Sequence, residues 1–592
     1  MNRKRFLLVI LLISFLAIST QAGRVSCGET RISLNGFWQF KTDPLQLGQQ
    51  QQWYSFGFND NDWAQCPAPK AYTNPVIPGF FPDPSVVRVG EDYYCVNSTF
   101  EYFPAIVISH SKDLVNWQQI GHVFSKSEDL DLSYFFDGMG IWAPDISYYN
   151  GEFYIFYCLV QLSKDRSTNV RGNYMMKSKS ILGPWSKPVQ ITNFGSDPSH
   201  FVDDDGEHYM LFAAGIPTGN GTKIVKMNRE CTKMVEEPRW LETEGKKSAP
   251  EGPHILKKDG YYYFIMAASS GLFNGHHMLI ARSKSVYGPF ENSPYNPYLT
   301  QRDPNAINFH QGHGKIFNTQ NGEWFTMVLS QRWIAGKIKG QKRGISQLGR
   351  ETSLERITWD ENDWPVANGG KGPLDANIRP NLPWTPVFNP SSDEFSDKQL
   401  GIQWVFRRNP VYKNFSLTEK KGLLRIYSGN FDIDTILGRN LIVQRERWLH
   451  FTATAKLSFN PESREQAGIT GYYDTKTYAR LGLQRAENGK LQLILEERRY
   501  GKKSILKVTD DLKSTTVYLR MKVDKLRREF FYSYDNKTWL DAGVIADAAF
   551  LSDQGTPNWG FMGMMTGVYS FNRGTGKRIP ADFDFFRIEA EE

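Results

Sequence analysis

Five times along the chain, a turn dipeptide and one further residue lead into a run in which aromatic and aliphatic side chains dominate. The instances are Gly90-Glu-Asp-Tyr-Tyr94, Asn150-Gly-Glu-Phe-Tyr154, Asp205-Gly-Glu-His-Tyr209, Asp259-Gly-Tyr-Tyr-Tyr263 and Asn321-Gly-Glu-Trp-Phe325. Between the glycines at 90, 151, 206, 260 and 322 the spacings are 61, 55, 54 and 62 residues. Asn-Gly and Asp-Gly between strands predict type I′ hairpins, whose central residues need positive φ. A hairpin at this period is what a four-stranded propeller blade produces. A weaker echo travels with it: Ser111-Lys-Asp-Leu-Val-Asn-Trp117, Ser178-Lys-Ser-Ile-Leu-Gly-Pro-Trp185 and Ser283-Lys-Ser-Val-Tyr-Gly-Pro-Phe290. The pattern predicts a five-bladed β-propeller.

After Trp364 the periodicity stops, and Pro365, Pro373, Pro380, Pro383, Pro386 and Pro390 fall within 26 residues. That marks a domain boundary. Period-two alternation then returns. Phe451, Ala453, Ala455, Leu457 and Phe459 share one face, as do Leu519, Met521 and Val523. Short alternating strands of this kind predict a β-sandwich, so the fold class is all-β. The boundaries are a propeller at 71–372, a proline-rich linker at 373–390 and a sandwich at 391–592.

The first 22 residues read as an export signal, with Arg3, Lys4 and Arg5 ahead of the apolar run Phe6–Ile18 and then small residues at Thr20-Gln21-Ala22. The expected location is secreted or periplasmic. A lipid anchor on Cys27 is the less favoured route, because Arg24 stands where that signal wants an aliphatic residue. Cleavage removes three positive and no negative charges, taking the formal net charge from +7 to +4. Over so large a surface that means solubility, not a nucleic-acid footprint. After residue 25 no stretch is apolar enough to span a bilayer. The five cysteines (Cys27, Cys66, Cys95, Cys158 and Cys231) are too few and scattered for a disulfide framework or a zinc site to be read from them, and buried thiols are the expectation. Oligomeric state is not legible.

Upstream of each hairpin stands an ionisable residue: Asp83, Asp145, Asp197, Glu251 and His313, six to nine positions before its glycine. Each begins the first strand of its blade, and first strands line a propeller's channel. Four acids and a histidine therefore converge on the axis. One Asp beside Pro merely starts a turn, but five such positions on one axis point to chemistry, since like charges are crowded at a cost. Paired carboxyls suit glycosidic cleavage, one protonated to serve the leaving oxygen and one ionised to activate water. No phosphate loop, zinc helix or nucleophile elbow is present.

The order of these motifs carries a resemblance. Asn74-Pro-Val-Ile-Pro-Gly-Phe-Phe-Pro-Asp-Pro-Ser85, Ser98-Thr-Phe-Glu-Tyr-Phe-Pro104, Gly140-Ile-Trp-Ala-Pro-Asp145, Asp197-Pro-Ser, Glu251-Gly-Pro-His254, His313 and Leu348-Gly-Arg-Glu-Thr352 resemble glycoside hydrolase family 43, the inverting β-xylosidases and α-L-arabinofuranosidases. The resemblance implies Asp83 as general base, Asp197 as modulator of the acid's pKa and Glu251 as general acid. Phe100 and Trp142 would wall the terminal-sugar subsite, and His313 and Arg350 would bind its hydroxyls or orient the carboxyls. Asp145 would support its strand. The chain after 390 resembles the jelly-roll, concanavalin-like sandwich of β-xylosidases, as a clamp on the pocket or alternatively a carbohydrate-binding module. Thr566–Phe571 is expected to carry the capping aromatics, Tyr569 among them. Residues 23–70 resemble the opening of a family 2 sugar-binding domain. The implied activity is exo-acting release of xylose or arabinofuranose from hemicellulose-type oligosaccharides, with a catalytically inactive glycan-binding propeller as the alternative. No cofactor is required; a structural calcium stays open, although no contiguous calcium loop is visible.

Overall fold

The computed structural model describes residues 70–591 apart from 163–169, 215–220, 245, 248–250, 270–274, 335–343 and 559, plus four two-residue strands nearer the N-terminus. The export segment, the Cys27 and Cys66 side chains and most of 23–70 lie outside the described residues.

Five consecutive four-stranded antiparallel sheets follow one another along the chain. They begin with Ser85–Val89, Gly140–Tyr149, Ser196–Val202, Glu251–Lys258 and Asn308–Asn318, and these first strands neighbour one another in a closed ring around an axis. Among the described residues, no strand is exchanged between the first and last blades. The ring is closed by backbone bonds between Ile77 and Thr352, and by pairing of Ala71–Thr73 with Ala376–Ile378 from the proline-rich segment.

All five hairpin glycines have positive φ, from 64° to 82°. Only two hairpins are the expected type I′ turns, where Asn150 with Gly151 and Asp259 with Gly260 are all left-handed. At Gly206 and Gly322 the loop is longer. The Gly206 amide bonds Asp203 O at 2.9 Å, and Gly322 bonds Thr319 O at 3.1 Å. These are three-residue-reach turns closing on a left-handed glycine, a different answer to the same strand twist.

The C-terminal domain stacks an eight-stranded on a seven-stranded antiparallel sheet. Phe451, Ala453 and Ala455 pair with Val523, Met521 and Leu519, and all face the shared core. The domains are not separate bodies. Tyr102–Phe103, a propeller segment, supplies the edge strand of the eight-stranded sheet by pairing with Val405–Arg407. Phe80, Phe100 and Tyr102 belong to the sandwich core. Arg408 donates to Asp137 Oδ1 at 3.0 Å, and Arg445 donates to Phe80 O at 2.7 Å.

Met565–Phe571 is a wholly buried central strand of that sheet, and the Tyr569 hydroxyl donates to Gln466 Oε1 at 3.0 Å. The expectation that Tyr569 caps the pocket is therefore wrong. Its alternating aromatics fill a two-faced core instead.

Candidate active site

The first strands place their polar residues by a shared local distortion. Asp83, Ala143, Asp197, Gly252 and His313 all have positive φ, between 33° and 51°. In blades two to five the pairing register slips at this point. A bulge of this kind re-aims the side chains beside it. The distortion defines the true equivalence between blades, and it corrects the sequence alignment of the four acids and the histidine. Asp197 and His313 match Asp83, Glu251 lies one residue earlier, and Asp145 lies two residues deeper.

Asp145 accordingly sits in a lower tier with Ser85, Ser199, His254 and Lys315. Its Oδ1 accepts from Ser85 Oγ at 2.6 Å and Lys315 Nζ at 2.8 Å, and its Oδ2 accepts the His200 amide at 2.8 Å. Lys315 and His254 hold its carboxyl below the usual range against the pull of burial. This paired acid ties blades together under the pocket. The tier does not suit calcium, which wants six or more oxygens, because the Lys315 ammonium already serves as its cation.

The upper tier carries Asp83, Asp197, Glu251 and His313. Asp83 is held through its backbone: Asn97 Nδ2 donates to Phe81 O and Pro82 O at 3.0 Å each. Ser98 Oγ donates to Asp83 Oδ2 at 2.6 Å, while Oδ1 is buried with no hydrogen-bond partner. Facing Oδ1 are Arg350 Nη1 at 3.6 Å and His313 Nδ1 at 3.8 Å. Asp197 accepts the Gly252 amide at 3.3 Å. Burial first, opposed by His313 and reinforced by Glu251 and Asp83, pushes its carboxyl up to about 6. Glu251 Oε2 lies 3.2 Å from His276 Nε2. Burial lowers the His276 pKa, so its imidazole is neutral near pH 7. Two glycines make room. A Cβ on Gly312 would stand 2.1 Å from the His276 ring, and one on Gly252 3.0 Å from the His313 ring.

Trp142 is partly buried, and its indole N–H donates to Gly138 O at 3.0 Å. Phe100, 1% exposed, lies behind it with ring centroids 6.0 Å apart. Among the described residues, Phe561 is an aromatic that reaches the site from the sandwich, 6.5 Å edge-on to Trp142 and beneath the Arg350 guanidinium at 3.9 Å. The segment before Met565 gets this close because Gly349 and Gly563 lie against each other's backbones, where Cβ atoms would meet Met562 O at 2.0 Å and Leu348 O at 2.2 Å. Gln331 fastens it further by donating to Asp553 at 2.6 Å.

The seven residues singled out from the sequence thus gather at one end of the axis. Ser98, His276 and Phe561 were missed. Ser98 and His276 are unremarkable in sequence, and Phe561 follows Pro557-Asn558 in a stretch with no periodicity. Cys95, Cys158 and Cys231 are free and buried, as expected.

Residues 72–365 match the model for glycosyl hydrolases family 43, and 392–589 match the beta xylosidase C-terminal concanavalin A-like domain. A xylan 1,3-beta-xylosidase from a Vibrio species is 34% identical, spanning 87% of this chain and 98% of its own. A non-reducing end alpha-L-arabinofuranosidase of Bacteroides ovatus is 33% identical over 88% and 95%. Among solved structures, a family 43 protein of Bacillus licheniformis superposes with a TM-score of 0.81 at 44% identity, covering 88% of this chain and 100% of that one.

Proposed function

The chain belongs to glycosyl hydrolase family 43, and from that premise we propose an exported, exo-acting enzyme that releases terminal β-D-xylose or α-L-arabinofuranose with inversion. The observation that carries the reading is the asymmetry of Asp83. Ser98 occupies one carboxyl oxygen, and the other is buried and free of hydrogen bonds. That oxygen is the place for the attacking water, which Asp83 deprotonates as general base.

Burial raises the Asp197 carboxyl to about 6, and the charges of Glu251 and Asp83 add to that rise, so Asp197 and Glu251 compete for a proton that belongs to the pair. The Gly252 amide favours ionised Asp197, which leaves the proton on Glu251 for the leaving oxygen. Neutral His276 orients that carboxyl. Arg350 and His313 face Asp83 and the sugar's hydroxyls. Trp142, backed by Phe100, and Phe561 form the apolar wall against which the ring lies. Phe561 with its segment makes the sandwich a clamp over the end of the pocket, which suits removal of single terminal sugars. The reaction needs no metal or cofactor, and the chain acts on oligosaccharides, not nucleic acid. Among the described residues, no helix is long and apolar enough to cross a membrane.

The test is release of free pentose from 4-nitrophenyl β-D-xyloside and α-L-arabinofuranoside, and from the matching disaccharide, by wild type and Glu251→Ala. The variant should lose the disaccharide, whose poor leaving group needs the proton, far more than the activated aryl glycosides. A wild-type protein that binds oligosaccharide yet frees pentose from none of them would establish the glycan-binding alternative instead.

A further inference from the structure

Away from the pocket, at the opposite end of blade three, three buried side chains converge that the reaction does not use. His200 lies toward the end of the first strand, His208 opens the second, and Cys231 sits in the turn after the third. They are 6%, 3% and 0% exposed. His200 Nε2 lies 2.9 Å from His208 Nδ1, and Cys231 Sγ lies 3.2 Å from His208 Nδ1 and 3.5 Å from His200 Nε2. Zinc bound tetrahedrally at ordinary Zn–N and Zn–S lengths would set its ligand atoms about 3.3 Å (N to N) and about 3.6 Å (N to S) apart. The apices of this triangle are thus within a few tenths of an ångström of a metal's ligand edges.

The surroundings fix these atoms in place. Ser147 Oγ, from blade two, meets His200 Nδ1 at 2.6 Å, which leaves Nε2 as the atom aimed at the centre. An outer partner of this sort is how ligating imidazoles are oriented. The Phe156 ring stacks on His200 at 4.9 Å, and Tyr149 stands edge-on to His208 at 5.3 Å. Cys231 adopts φ 57°, a left-handed conformation uncommon for a residue with a side chain. Its amide bonds Asn228 O at 2.9 Å, and the Asn228 side chain accepts the Thr232 amide at 2.8 Å. The turn thereby turns the thiol inward. Hydrogen bonding has only the Cys231 S–H and one imidazole N–H to share among the three atoms, so it closes at most two edges of the triangle. A cation serves all three lone pairs at once.

We infer that His200, His208 and Cys231 bind one zinc ion, with a water at the fourth position. Two imidazoles and a thiolate are a donor set for a thiophilic cation, not for calcium or magnesium. Binding exchanges the Cys231 S–H bond for S–Zn and releases that proton to solvent. It also requires His208 to carry its hydrogen on Nε2. The ion staples three successive strands of blade three. Through the His200 amide on Asp145 it braces the tier below the pocket. Burial means that the metal enters as the chain folds.

The experiment uses the full chain produced with and without added zinc and freed of loose metal by chelator. Elemental analysis should find one zinc per chain in the supplemented material, with a higher melting temperature than the metal-poor form. Protein produced with cobalt should show a thiolate-to-cobalt charge-transfer band. Cys231→Ser should lose that band and at least tenfold in zinc retention, and His208→Gln should lose most of the metal. Both should keep wild-type kcat on the aryl pentoside, since neither lies near the pocket. Wild-type protein without zinc, or with cobalt but no thiolate band, would overturn the inference and leave a neutral hydrogen-bonded cluster. The wild-type readings decide the matter even if a variant fails to fold.

Discussion

Between the sandwich sheets, Arg528 and Glu446 meet as a two-pronged pair at 2.8 and 2.9 Å, both essentially unexposed. On the propeller axis, Asp83, Asp197 and Glu251 meet like charge to like charge, and one of them is pushed up to about 6. Nearby sandwich groups follow the first pattern: Arg480 reaches Glu496 at 2.7 Å and Asp432 at 3.1 Å, and Asp432 is held well below the carboxylate range despite burial. Both regions bear the desolvation cost of buried charge. The sandwich offsets it with close, two-pronged opposite charge. On the axis three carboxyls share the looser Arg350 and His313, at 3.6 and 3.8 Å from Asp83, so compensation there is incomplete, as suits a site that moves protons.

The difference can be broken at its base. Asp83→Ala removes the proposed general base and should lower kcat by about 10⁴-fold, about 5 kcal/mol of barrier, on every substrate. Its melting temperature should match or exceed that of wild type, because an acid with an unbonded oxygen is removed. Steady-state kinetics beside thermal unfolding checks both halves.

The sandwich should respond in the reverse sense. Glu446→Ala strands the Arg528 guanidinium and should cost about 3–5 kcal/mol of stability, measured by denaturant unfolding. The kcat at a temperature where the variant is folded should stay near wild type.

Asp197→Asn sharpens the contrast through pH. The folded pKa is raised from 3.8 to about 6. The acid's cost to folding is therefore absent below 3.8, grows as pH rises and is complete above about 6. The amide should stabilise the protein by roughly 2–3 kcal/mol at pH 7–8 and by nothing at pH 3.5. Activity should fall, and the alkaline limb of the pH profile should move down, because Glu251 loses the neighbour that keeps its proton. Melting curves and rate profiles across pH 3.5–8 report both.

How much of this contrast is visible in the sequence depends on how local its cause is. The hairpin glycines were legible because positive φ is a property of one residue. Asp83, Asp197 and Glu251 were legible because the blade repeat says which strands line the axis. The depth of Asp145 was not, since a bulge between Trp142 and Asp145 shifts the register without a mark in composition. Tyr569 was misjudged because alternating aromatics look the same on an exposed edge and in a two-faced core. Phe561 was missed because it depends on Gly349 and Gly563 meeting, residues more than 200 positions apart.

The smallest effect tests the contact between the two regions. Phe561→Ala removes the sandwich's ring from under Arg350 and should raise KM for short oligosaccharides by up to about tenfold, with a smaller change in kcat. Kinetics on xylobiose-length substrates would register it.

The central claim is that Asp83 delivers water and never bonds to the sugar. Inverting sites hold their carboxyls about 6.5–9.5 Å apart to admit that water, whereas retaining sites hold them about 5–5.5 Å apart. Proton NMR of the first sugar released from an aryl β-D-xyloside reads the outcome directly, before mutarotation. The account predicts α-xylose as the initial product; β-xylose appearing first would contradict it, and Asp83 would then be a nucleophile.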